Sequence, residues 1–314
     1  MNRIFLGAIA LVFMLAAGAW ATEPLPALPS IPADNSMSRA KVDLGKMLFF
    51  DPRLSSSGVV SCATCHNPSF AFTDRVPRAL GHKHQVGPRN TPTVLNAAFL
   101  SSQFWDGRAA TLEEQALGPI QATVEMNESL ENVVGRLKEI PEYKKMFIEV
   151  FGGKEAVSSG NIARAIAAFE RTLVTPNSPF DRYLMGDTEA ISTDARKGWE
   201  LFQKKGCNAC HSGANFTNGE FYRIIVPGST DLGRFEVTKK EEDKYKFRVQ
   251  TLRNVALTYP YFNNGSVVRL PDAVKVMSKE MLGSESGDEE AALIVEFLKS
   301  LTGTMPRVDY PVLP

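Results

Sequence analysis

The pentapeptide Cys-x-x-Cys-His occurs twice, as Cys62-Ala63-Thr64-Cys65-His66 and as Cys207-Asn208-Ala209-Cys210-His211. No other feature constrains the fold as strongly. Two thiols three positions apart on one helical turn can each bond a vinyl group of one haem, and the adjoining His reaches the iron as proximal ligand. The chain must therefore accommodate two covalent c-type haems, and two iron centres mean redox chemistry. Structural zinc, a thioredoxin-like dithiol and a disulfide framework each leave something unexplained. Zinc sites pair two Cys-x-x-Cys units or add a spaced His pair, and a redox dithiol has no need of a following His. All 4 cysteines are consumed by the two motifs, so none is left for a disulfide.

At the N-terminus, Asn2-Arg3 precedes an apolar run from Ile4 to Ala19 and the small-x-small triplet Ala19-Trp20-Ala21. This pattern reads as a secretory signal peptide over residues 1–21, cut before Thr22. The run is short for a membrane anchor and polar, Pro-rich sequence follows it, so no stable membrane insertion is expected. Export of a covalent haem protein points to a Gram-negative periplasm. The 35 basic and 35 acidic residues balance, which argues against a nucleic-acid partner.

A weak internal repeat divides the rest: Leu44-Gly45-Lys46-Met47-Leu48-Phe49 precedes the first haem motif, and Lys197-Gly198-Trp199-Glu200-Leu201-Phe202 precedes the second. Apolar residues recur at helical spacing over 37–50, 130–151, 161–173 and 192–204, while strand-like alternation is scarce. Stretches rich in Gly, Pro, Asn and Ser fill 77–93, 175–180 and 215–231. The expected fold is mainly α: two cytochrome c-like domains with long loops, each holding one covalent haem. The N-terminal domain is expected over 22–175 and the C-terminal one over 176–314, with the boundary near 175–193.

The chain has 4 histidines, and His66 and His211 take two as proximal ligands. His82 and His84, in Gly81-His82-Lys83-His84, remain, so only one haem readily gains a distal imidazole; their position favours the first. A surface-loop role is the ordinary alternative for at least one of them. The second haem then takes a thioether, a water or nothing. Met277 and Met281 are the C-terminal candidates, against the usual role of Met as a gap-filling core residue.

Several ordered blocks carry a family resemblance: Leu48-Phe49-Phe50-Asp51-Pro52-Arg53-Leu54-Ser55, Gly87-Pro88-Arg89-Asn90-Thr91-Pro92-Thr93, Gln103-Phe104-Trp105-Asp106-Gly107-Arg108, Val124-Glu125-Met126-Asn127, Phe180-Asp181-Arg182-Tyr183 and Thr251-Leu252-Arg253-Asn254-Val255. With the two haem motifs, they make the chain resemble the bacterial di-haem cytochrome c peroxidases over nearly its whole length after residue 21. The resemblance implies that His82 is a displaceable ligand of the first, low-potential haem and that Met277 binds the second, high-potential one. It places Trp105 on the electron route, Glu125 as acid-base residue and Gln115 beside it in the peroxide pocket. It further implies a calcium ion held by the Asn90 side chain and by backbone carbonyls of Thr258 and Pro260, and a homodimer. Relatives commonly carry His at the position of Asn263 and Trp at that of Val268, near the second haem, so these two departures bear on its potential and its coupling to activation.

The function expected from this resemblance is reduction of hydrogen peroxide to water with electrons from a small cytochrome c or blue-copper donor. Two alternatives differ from it: a di-haem oxidase of a protein-derived cofactor, whose second haem resembles a His/Tyr centre, and a di-haem carrier that catalyses nothing.

Overall fold

The computed structural model describes residues 22–314; the signal peptide expected over 1–21 lies outside the described residues. Helices dominate. The first part of the chain forms α1 (Arg39–Phe50), α2 (Cys62–Cys65), α3 (Leu112–Gln121), α4 (Leu130–Lys138), α5 (Pro141–Phe151) and α6 (Ser159–Glu170). The second forms α7 (Pro179–Leu184), α8 (Thr193–Lys204), α9 (Phe235–Thr238), α10 (Leu270–Leu282) and α11 (Asp288–Ser300), together with a short antiparallel pair, β1 (Phe221–Arg223) and β2 (Lys246–Arg248). The helix expected over 130–151 is two helices. Pro141 has no N–H to continue α4 and drives Ile140 into extended backbone (φ −97°, ψ 109°), so a new helix starts at the proline. Ser38, Ser158 and Ser192 cap α1, α6 and α8, each accepting a backbone N–H three residues on.

Apolar side chains gather in two main clusters, one drawn from residues 44–173 and one from 180–301. In the first, α1 crosses α6; in the second, α8 crosses α11. Gly45 and Gly198, equivalent in the sequence repeat, sit at the two crossings. A Cβ on Gly45 would stand 1.8 Å from the Ala165 carbonyl oxygen, and one on Gly198 would stand 1.9 Å from that of Leu293. Four residues on, Phe49 meets Phe169 with ring centroids 5.2 Å apart, and Phe202 meets Phe297 at 5.1 Å. The repeat thus encodes one helix crossing used twice.

The two halves join at Thr175, which is fully buried. Asn96 and Asn254 each donate a side-chain N–H to its hydroxyl at 2.8 Å, and both adopt the same left-handed backbone (φ 61°, ψ 12°) before a short 3-10 turn. A strap over residues 22–38 also crosses the join. The Leu25 amide donates to Asp181, itself in a buried ion pair with Arg253, while Asn35 donates to Glu113 and to the Arg164 carbonyl. Among the described residues no helix is long and apolar enough to cross a membrane.

Candidate functional site

One cavity of about 410 Å³ is lined by both motifs, by Cys65 and His66 of the first and by Cys207, Cys210 and His211 of the second. Each motif folds as a tight turn, α2 for Cys62–Cys65 and a 3-10 turn for Cys207–Ala209, which sets both thiols beside the following His. Each His ring is oriented the same way: Nδ1–H of His66 donates to the Phe72 carbonyl at 3.3 Å and that of His211 to the Phe216 carbonyl at 3.2 Å. Burial lowers both imidazoles, His211 to about 4, against the opposing pull of those carbonyls. Two neutral rings with Nδ1 occupied leave Nε2 as the donor atom, the arrangement found at metal-bound histidines.

All four cysteines are unpaired. Burial raises every thiol, Cys65 to about 12 and Cys207 to about 11. Among the described residues no three His, Cys, Asp or Glu side chains cluster as a metal site. The cavity has a further property that suits haem. Arg248, 3% exposed, reaches only neutral acceptors, the carbonyls of Phe104 and Val249 and the Gln250 side chain, and burial lowers it to about 10. A buried guanidinium without a carboxylate fits a cofactor that brings its own carboxylates.

Seven of the residues singled out by resemblance, Asn90, Trp105, Gln115, Glu125, Thr258, Pro260 and Met277, line this cavity. Gln115 reaches it from α3 and Glu125 from the turn that follows. Burial raises the Glu125 carboxyl, and Arg108, stacked on the Phe104 ring at 3.5 Å, pulls it back only in part. Trp105 lines the wall and donates from Nε1 to the Asn90 carbonyl at 2.9 Å; its own carbonyl accepts the Arg248 amide. On α10, Leu270, Ala273, Val274, Met277, Ser278 and Met281 form one helical face toward the cavity, so both candidate thioethers lie on it.

Asn90, Thr258 and Pro260 line the same wall. The Asn90 side-chain N–H groups go to the Val76 and Pro77 carbonyls, and no hydrogen bond among the described residues ends on Asn90 Oδ1 or on the Thr258 and Pro260 carbonyls. Three neutral oxygens without donors suit calcium.

His82 stands apart. It is buried, but it is not among the residues lining the cavity: its Nδ1 meets the Ser56 hydroxyl at 3.0 Å and its amide donates to the Glu125 carbonyl at 2.7 Å. His84 is exposed. Asn263 and Val268 are off the wall as well, Val268 exposed and Asn263 buried with its amide donating to Ser229 and Asp231.

Sequence reading missed how Asn263 relates to Trp105. Phe104-Trp105-Asp106-Gly107 and Phe262-Asn263-Asn264-Gly265 form the same turn, each closed by a bridge six residues long and led by a left-handed Phe (φ 68° and 71°). Asn263 therefore occupies in the second half the place that Trp105 holds in the first. The only sequence signal was a shared Phe-x-x-Gly.

Comparisons with known proteins agree on one family. Residues 39–189 match the model described as di-haem cytochrome c peroxidase. The cytochrome c551 peroxidase of Pseudomonas aeruginosa is 48% identical over 303 residues, covering 93% of this chain and 87% of that protein. The one from Nitrosomonas europaea is 44% identical over 299 residues, covering 94% and 88%. Among solved structures, a MauG-like protein associated with microbial copper homeostasis superposes with a TM-score of 0.78 at 28% identity, over 94% of this chain and 96% of its own.

Proposed function

The chain belongs to the di-haem cytochrome c peroxidase family, and on that premise we propose how its residues divide the work of reducing hydrogen peroxide. Its activity is that of a cytochrome c peroxidase: peroxide takes two electrons and two protons and leaves as two waters. In our reading one haem is held by Cys62, Cys65 and His66 within a domain spanning 22–175, and the other by Cys207, Cys210 and His211 within 176–314. When bound, the haems supply iron that binds peroxide and exchanges electrons singly.

The protein groups do the rest. Glu125 carries a proton from one peroxide oxygen to the other, and Gln115 orients the substrate with its amide. Trp105 stands on the electron route, and Met277 is the second ligand at the His211 end. His82 is the displaceable ligand at the His66 end and would have to leave its bond to Ser56 to reach it. Asn90, Thr258 and Pro260 hold calcium.

The observation that carries this reading is that Glu125 and Gln115 line the same cavity as His66 and Cys65. With both haems loaded, Glu125→Gln is expected to lower peroxide turnover by about 10²–10⁴-fold, the usual worth of a positioned acid-base group. Full turnover would overturn the assignment. A tyrosinate signature in the electronic spectrum of the second haem would instead favour oxidation of a protein-derived cofactor. A haem pair that stays six-coordinate and turns over no peroxide would favour a carrier.

The chain works, in this proposal, as an exported periplasmic homodimer. The names of the relatives favour a small cytochrome of the c551 type as donor over a blue-copper protein.

A further inference from the structure

The wall near the first attachment site carries a second carboxyl, that of Glu170, which none of these roles uses. Glu170 ends α6, is 4% exposed and lines the cavity. Its Oε2 is buried with no hydrogen-bond partner among the described residues. Its charge is, after burial itself, the foremost influence raising the Cys62 thiol, which sets the carboxyl close to the first haem motif. Buried carboxyls ordinarily find a donor, because leaving one unpaired costs its desolvation.

The charges around Glu170 do not supply that partner. Arg171, its neighbour, is committed to Glu113 of α3 at 2.7 Å, and the two act on Glu170 in opposite directions. Lys41 of α1 donates to Asn35 and Ser36, Arg164 of α6 donates to Asn161, and Arg136 of α4 pairs with Glu128. Glu125 also acts on the Cys62 and Cys65 thiols, and Asp74, which accepts from the Thr91 hydroxyl, acts on Cys65. α6, which carries Glu170 at its end, crosses α1 and packs on α3 and α4.

We propose that Glu170 takes up the proton that compensates electron uptake by the haem at Cys62 and Cys65, an inference resting on the haem-attachment reading above. One electron arriving from the donor adds one negative charge to a poorly solvated cavity. One proton from solvent, bound to the Glu170 carboxylate, cancels it; an O–H bond forms on the carboxyl as one breaks on a solvent hydronium, which leaves as water. Burial pushes Glu170 up to about 8, so its ionisation falls in the range where the coupling can be read. A carboxylate beside the haem opposes reduction, and reduction strengthens its hold on a proton. The midpoint potential should therefore fall as pH rises across that range. The limit is a tenfold change in the one-electron equilibrium per pH unit, about 59 mV.

The test is a spectroelectrochemical titration of the lower-potential haem in the full haem-loaded protein from about pH 7 to about pH 10, which spans the Glu170 ionisation and its rise on reduction. The wild type should show the slope, Glu170→Gln should flatten it, and Glu125→Gln should keep it. A flat wild type, or a slope that survives Glu170→Gln, overturns the proposal. Should Glu170→Gln not fold, redox-difference infrared spectroscopy of the wild type decides: a protonated-carboxyl band that grows on reduction and shifts in deuterated water supports the assignment, and its absence overturns it. Haem content separates the two levels. Missing covalent haem at the first motif sinks both readings, whereas full loading with a flat slope sinks this one alone.

Discussion

The backbone that holds His82 against Ser56 is strained. Lys83 (φ 52°, ψ 34°) and His84 (φ 60°) are both left-handed, a conformation that costs non-glycine residues on the order of 1 kcal/mol or more each. The contacts to Ser56 and Glu125 offset that cost, which makes the position of His82 a balance rather than a fixed feature. Removing one hydrogen bond worth about 0.5–1.5 kcal/mol should tip it by about 2–10-fold. Ser56→Ala is accordingly expected to enlarge the six-coordinate, low-spin fraction of the first haem in the oxidised enzyme, as read by electron paramagnetic resonance. An unchanged spectrum would argue against His82 as ligand. The ion pair of Arg171 with Glu113 makes a separate prediction. Burial pushes Glu113 up, but its bonds to Arg171 and Asn35 outweigh this and hold it below the ordinary carboxylate range. Its contribution to stability is then complete above that range and lost as pH falls through the lowered value. Glu113→Gln should lower the melting temperature at neutral pH and flatten its decline on acidification, measured by calorimetry.

Helix positions were largely legible, because α1, α6 and α8 bury an apolar stripe and announce their starts with Ser38, Ser158 and Ser192. The break at Pro141 was legible too, by the proline rule, but the apolar spacing runs through it and hides it. α10 and α11 were missed as helices; on α10 the inward face is turned to a cavity rather than to protein, so its pattern reads as two stray methionines. The repeat around Gly45 and Gly198 was visible as sequence, yet its cause, backbone contact at a helix crossing, is a property of the partner helix. Gly198→Ala should cost about 1–3 kcal/mol through overpacking, and Gly45→Ala a similar amount. Chemical denaturation followed by Trp199 fluorescence checks the first, and a loss below 0.5 kcal/mol would mean that α8 shifts freely on α11. The candidate site was legible only in part. Cys62, Cys65 and His66 speak for themselves through spacing, whereas Glu125, Asn90 and Trp105 look like ordinary turn residues until the loops that carry them are folded around the cavity.

Across the whole molecule, the Thr175 hydroxyl is shared by Asn96 from one half and Asn254 from the other. Thr175→Val keeps the shape and strands both amides, so it should destabilise the protein by about 1–3 kcal/mol per unsatisfied group. Because the join is common to both halves, the loss should appear as one cooperative transition shifted to lower denaturant rather than as two separated ones; splitting into two transitions would show that the halves unfold independently. The sequence marks Thr175 only as the start of the expected boundary, since its importance comes from two asparagines 158 positions apart reaching the same atom. The strap over 22–38 adds a matter of timing. Its first anchor, the Leu25 amide on Asp181, joins residues 156 apart and shares that carboxylate with Arg253. Contacts that close such long stretches of chain form late. The earliest part of the described chain to be synthesised is thus the last to settle, a latch that closes only over two finished halves.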